Sequence, residues 1–171
     1  MTTKDSLQAI KAWLEEHAPP LVRQLNSPAS EDDIRQFESR SGIQLPASVR
    51  AAYRMHDGED PSSQGLFGTW RWLPLDEVEA YRLEILSTGE SLANNAAPVL
   101  MSGGGDFYYV ESVDKPGLES PVIEWWHEQP TRDVRFDNFA ALLHEFARGL
   151  ERGQYVYLPD TLSGLIDKDE L

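Results

Sequence analysis

The sequence predicts an α+β fold. Three observations carry this. Apolar residues recur at helical spacing toward both ends, strand-like runs follow one another in the middle, and a glycine turn joins two of those runs. The 171 residues suit one domain, with a core large enough to need no disulfide staple. The expected architecture is a mostly antiparallel central sheet with helices packed against it. Its expected parts are an N-terminal helical extension (1–25), a main domain (26–153) and a C-terminal tail (154–171) that packs on that domain.

Leu7, Ile10, Trp13 and Leu14 share one face of a first helix, which Pro19-Pro20 ends. Ser30 opens a second helix with Asp33 three residues on, the spacing of a capping box. Ile34 and Phe37 give it a buried face, and Gly42 is its left-handed stop. Pro46 suits the first turn of a third helix, which buries Val49, Ala52 and Tyr53 and breaks at Asp57-Gly58. Residues 66–73 read as a strand; Trp70 and Trp72 share one of its faces and are expected to pack under a helix.

Val78, Tyr81 and Ile85 mark a helix over 76–86, and the polar, small residues 87–97 read as a loop. Strand signal then comes at 99–101, 107–110 and 122–126, with a short addition at 134–136. Asp137 is placed to cap the strongest helix, whose stripe is Phe139, Leu142, Leu143, Phe146 and Leu150 and whose end is Gly153. The tail that follows is apolar enough to pack.

Fifteen Lys and Arg against 29 Asp and Glu leave a net charge of −14. Between Leu83 and Thr131 eight acids (Glu84, Glu90, Asp106, Glu111, Asp114, Glu119, Glu124, Glu128) face Lys115 alone, so half of the charge falls there. Such a field repels nucleic acid and anionic lipid and favours a basic partner. The absence of cysteine excludes disulfides, thiol catalysis and cysteine-ligated metal, and fits a reducing, cytoplasmic setting. No segment reads as a signal peptide or membrane span, so the terminal Lys168-Asp169-Glu170-Leu171 reads as chance, not as a retention address.

Catalytic signals are weak. His144-Glu145 begins like a zinc-protease motif, but Arg148 stands where the second histidine belongs. His56, Asp57, Glu59 and Asp60 gather in one short stretch, yet the alternating ligands of a calcium loop are missing. Gly103-Gly104-Gly105 leads through Asp106 into a strand, which makes it a turn and not a phosphate cradle. No nucleophile elbow exists, and carboxylate pairs among 29 acids arise by chance. No enzyme, cofactor or metal is expected.

Taken in order, three blocks resemble the SUKH superfamily of bacterial immunity proteins and fungal Smi/Knr cell-wall regulators. The first runs from Asp33-Ile34-Arg35-Gln36-Phe37 through Gly42-Ile43-Gln44-Leu45-Pro46 to His56-Asp57-Gly58, with Glu59 where a second glycine is usual. The second is Trp70-Arg71-Trp72-Leu73-Pro74-Leu75 followed by Val78. The third joins Gly104-Gly105-Asp106-Phe107 to Pro121-Val122-Ile123 and to Phe139-Ala140-Ala141-Leu142-Leu143. Coverage runs from about residue 31 to 152.

The resemblance implies an α+β domain with a non-enzymatic, protein-binding task. Its commonest bacterial form is neutralising a toxin, often a nuclease or deaminase, and an acidic protein suits the basic cleft of such a toxin. The alternative is a housekeeping interaction or scaffold module of the Smi/Knr type. The expected partner-binding residues are Asp57, Glu59 and Asp60 after the third helix, with Glu124, Trp126, His127 and Glu128 at the end of a strand. Trp125 and Trp126 point to opposite faces, so one of them is the candidate apolar anchor. The expected state is a monomer or weak homodimer.

Overall fold

The computed structural model describes residues 1–89, 92–129, 132–159 and 164–171. Helix α1 (Thr3–His17) starts on a capping box between Thr2 and Asp5. Pro19-Pro20 does more than end it, for these prolines open a further short helix, α2 (Pro19–Val22). Proline is at home there because the first turn leaves N–H groups unused anyway. In α3 (Glu31–Ser41) the expected box forms, with Ser30 Oγ accepting from Asp33 N and Gly42 closing the helix at φ +72°. Pro46 sits one position earlier than expected, as the N-cap of α4 (Ala47–Tyr53).

Five antiparallel strands follow, and their spatial order is their chain order: β1 (Trp70–Trp72), β2 (Ala96–Ser102), β3 (Phe107–Glu111), β4 (Val122–Trp125) and β5 (Arg132–Phe136). The first is shorter than expected. Phe67 and Trp70 exchange backbone hydrogen bonds across a tight turn at Gly68, so the chain reaches the sheet only at Trp70. Helix α5 (Leu75–Ser87) crosses from β1 to β2. Strand β2 begins earlier than expected, inside the stretch read as a loop, and its register shifts between Pro98 and Leu100, where proline cannot donate to a ladder. Of that loop, residues 90–91 lie outside the described residues, and so does Glu90 of the acidic stretch.

Asn138, not Asp137, caps α6 (Phe139–Glu151) by accepting from Ala141 N at 2.9 Å. The tail folds into a hairpin of β6 (Tyr155–Leu158) and β7 (Gly164–Asp167), with a 3₁₀ turn over Lys168–Glu170.

Trp72 and Leu100 are partners across β1 and β2 and face the side on which Phe139 of α6 packs. The α6 stripe of Phe139, Leu142, Leu143, Phe146 and Leu150 is buried, at about 1.5–3 kcal/mol for each large side chain. Helix α1 lies along α6 and touches α4, and Leu7, Ile10 and Leu14 join the same core. Helix α5 takes the opposite face, where Tyr81 meets Phe107 at 5.7 Å.

Candidate interaction surface

The expected binding residues fall into two groups with different surroundings. The first follows α4. Gly58 has φ +65°, and a Cβ built on it would stand 2.5 Å from the backbone nitrogen of Pro74. Only glycine allows this approach. It lets Asp57 Oδ1 accept from Leu75 N at 2.9 Å, in the first turn of α5 where Pro74 offers no side-chain cap. Glu59 lies against the outer side of β1. Its N–H donates to Trp72 O at 2.8 Å, and its carboxylate accepts from Trp72 N at 2.5 Å and from the Ser63 hydroxyl at 2.6 Å. One residue thus satisfies both backbone groups of Trp72 at a sheet edge.

Glu59 is 1% exposed, and its burial pushes the carboxyl pKa up to about 7. Burial also raises that of Asp57. The linker holds the loop from the other side, where Asn26 Nδ2 donates to Asp57 O at 2.8 Å and Asp60 N to Gln24 O at 2.7 Å. Of the three acids only Asp60 is exposed, and it accepts from Ser62 N at 2.8 Å. Backbone donors inside the fold hold both carboxylates; Glu59 is removed from the surface, against the expectation that it faces a partner, while Asp57 stays half-buried. Among the described residues no cluster of three or more histidines and acids is arranged to hold a metal ion.

The second group lies where β4 leaves the sheet. Glu124 faces the α6 side, is 7% exposed and pairs with Arg135 at 3.4 Å, so it too is removed from the outer surface. Trp125 faces the other side, buried against Phe107 at 5.7 Å and under the Arg132 guanidinium at 5.2 Å. Trp126 has left the sheet and is 44% exposed. His127 is held in place, with its N–H and Nδ1 both on Asp106 Oδ1, at 3.2 and 2.7 Å. Asp106 itself belongs to the glycine turn, whose Ser102 Oγ accepts from Gly104 N and Asp106 N. Glu128 beyond it stands in solvent.

Beside this corner runs a groove between α5 and the β2–β3 turn. Tyr81, Met101, Phe107 and Trp125 provide its apolar lining, and Glu84 and His127 are its ionisable groups. Of the expected residues His127 lines this groove, Trp126 and Glu128 flank it in the chain and are exposed, and Asp60 lies on a different loop. Sequence reasoning missed Glu84 and Tyr81. The pattern placed both on a helix, but only the β2–β3 register shows what α5 lies across.

Residues 28–145 match the family described as SMI1/KNR4 (SUKH-1). The chain belongs to the SMI1/KNR4 family. The cell wall assembly regulator SMI1 of Saccharomyces cerevisiae is 32% identical over 206 aligned positions, which cover 88% of this chain and 41% of that protein. A KNR4/SMI1 homolog of Eremothecium gossypii is 43% identical over 72 residues, 41% of this chain and 11% of its own length. Human F-box only protein 3 is 33% identical over 66 residues, 39% of this chain and 14% of its own length. This chain is thus well under half the length of the curated relatives it matches. The SMI1/KNR4 match takes in the Asp57-Gly58-Glu59 clamp and the Trp126 corner, and it ends before the β6–β7 hairpin. Among the described residues no helix is long and apolar enough to cross a membrane.

Proposed function

We propose that this chain is a non-catalytic docking module of the regulatory Smi/Knr type, which presents the Trp126 corner to a positively charged protein. One observation carries the reading. Trp126 is a large exposed aromatic residue between Trp125 and His127, both of which line an apolar groove, and it is followed by the solvent-exposed Glu128. An aromatic anchor beside a carboxylate suits a basic partner, because the charge speeds encounter and the ring supplies short-range contact. The regulatory role draws its support from the yeast relative described as a cell wall assembly regulator. Neutralisation of a toxin draws support from the net charge of −14 alone, and a basic nuclease or deaminase would be one instance of such a partner.

The test uses two baits, the wild-type chain and a Trp126→Ala, Glu128→Lys double variant. A protein retained by the wild type, lost from the variant and released faster as salt rises supports the reading. Equal retention by both baits would overturn it. An assay of nuclease or deaminase activity in the captured protein separates the toxin from a regulatory client.

A further inference from the structure

A second hollow lies on the α6 side of the same end of the sheet. Phe107 lines the first and Tyr108 the second, as alternation along β3 requires. The second hollow is a cleft of about 190 Å³ closed by α6 and the β6–β7 hairpin. Its wall is aromatic. Trp70 stacks on Tyr108 with centroids 4.2 Å apart and planes 10° from parallel, Phe136 meets Tyr108 edge-on at 6.4 Å, and Tyr155 packs on Phe146 at 4.8 Å. Trp70, Tyr108, Phe136 and Tyr155 each keep part of their surface open. Burial pushes the phenols of Tyr108 and Tyr155 up to about 12, so both rings stay neutral.

Among the described residues, every charged side chain that lines the cleft is an acid: Glu145 from α6, Asp167 from β7 and Glu170 from the 3₁₀ turn. Two arginines stand at its margin. Arg152 reaches Glu145 at 3.0 Å, and Arg135, whose side chain bonds Tyr108, also pairs with Glu124. Both guanidiniums are about half exposed, so these contacts are weak enough to exchange for a ligand.

We propose that this cleft takes an arginine or lysine side chain from an extended segment of a partner protein, with the cation against the Trp70–Tyr108 pair and neutralised by Glu145 and Glu170. Asp167, held by Gln154 Nε2 at 2.6 Å and by Asp169 N at 3.0 Å, adds to the negative field. Stacked ring surface attracts a cation through its negative face, and a guanidinium also lies flat against it. The volume fits one inserted side chain, being smaller than the roughly 300–1,000 Å³ of small-molecule sites. Tyr155, Asp167 and Glu170 lie beyond the family match, so the hairpin and the 3₁₀ turn after it add a wall and two of the three acids to the shared fold. This site is separate from the Trp126 corner and goes beyond the reading given for it.

The test is an ¹⁵N NMR titration of the whole chain with a blocked Gly-Gly-Arg-Gly-Gly peptide, and with its glutamine counterpart as control. The arginine peptide is expected to shift the Trp70 indole N–H and the amides of Tyr108, Tyr155 and Asp167 saturably, and the glutamine peptide is not. Trp70→Ala should weaken binding about tenfold. Glu145→Gln with Glu170→Gln, both at exposed positions, should weaken it about fivefold and guards against a folding defect in the tryptophan variant. Equal binding of both peptides, no loss in the carboxamide variant, or the absence of saturable shifts would overturn the cleft. So would shifts confined to Asp106, Trp126 and His127, a result that leaves the docking corner standing. A Trp126→Ala chain that still binds the peptide at the cleft separates the two sites from the other direction.

Discussion

The loop at Asp57–Asp60 and the corner at Asp106–Glu128 carry the same chemistry, carboxylates beside a histidine, and use it in opposite directions. In the loop the acids turn inward. Asp57 serves the first turn of α5 and Glu59 serves the edge of β1, because both places hold backbone N–H groups that neither a helix nor a strand satisfies. At the corner the fold has no such demand beyond Asp106, which fixes His127, and Glu128 and Trp126 are left to solvent. A carboxylate cluster is thus left to solvent only where no internal donor claims it.

The largest expected effect tests the clamp. Gly58→Ala forces a side chain into a left-handed position against the Pro74 backbone and should cost at least about 3 kcal/mol in urea denaturation. Gly103→Ala, in the turn at the corner, meets nothing within 4 Å and should cost less than about 0.5 kcal/mol. Equal tolerance at the two glycines would break the contrast.

Glu59 sharpens it next. Its folded pKa of about 7 lies above the ordinary 4.5, so between those values the folded chain holds a proton that the unfolded chain releases. Stability from this group is therefore greatest below about pH 4.5, falls as pH rises through about 7 and is level above that. At about 1.4 kcal/mol per pKa unit the fall is on the order of 3 kcal/mol. Glu59→Gln keeps an acceptor for Trp72 N and has no proton to lose, so its stability between pH 4.5 and 8 should lack this component. A wild-type slope equal to that of the variant would place the charge of Glu59 in water. The smallest effect belongs to the corner. Trp126→Ala and Glu128→Lys should each change stability by no more than about 0.5 kcal/mol, while Glu59→Lys should fail to fold.

Much of this architecture is legible from the residues. Ser30 with Asp33, Gly42, the glycine turn before Phe107 and the α6 stripe are local signals, and each became the element it predicts. Errors arose where neighbours compete or tertiary pairing decides. Asp137 and Asn138 both suit a cap, and periodicity cannot choose between positions one residue apart. Ala96-Ala97-Pro98 has no strand propensity of its own and is drafted by its pairing with β3. That Trp125 and Trp126 part company is legible from alternation, but which of them is exposed is not, because β4 is buried on both faces and ends at Trp125. The burial of Glu59 is not legible either, since acids are ordinarily solvated and its partner, the Trp72 backbone, lies 13 residues away. Its place in the sequence, where a glycine is usual in the family it resembles, was the one local hint that this position had a task of its own.

The sequential strand order has a kinetic consequence. Each sheet pairing joins strands that follow one another along the chain, so the sheet can assemble by short loop closures, with α5 as the longest detour. Helix α1 against α6 is different, for the two are at least 122 residues apart in the chain and yet in contact over their length. That contact sets the most expensive closure in the fold and closes only when both ends of the chain meet. Hydrogen exchange should therefore find the first helix opening ahead of the meander, which makes α1 the latch on an otherwise locally wired domain.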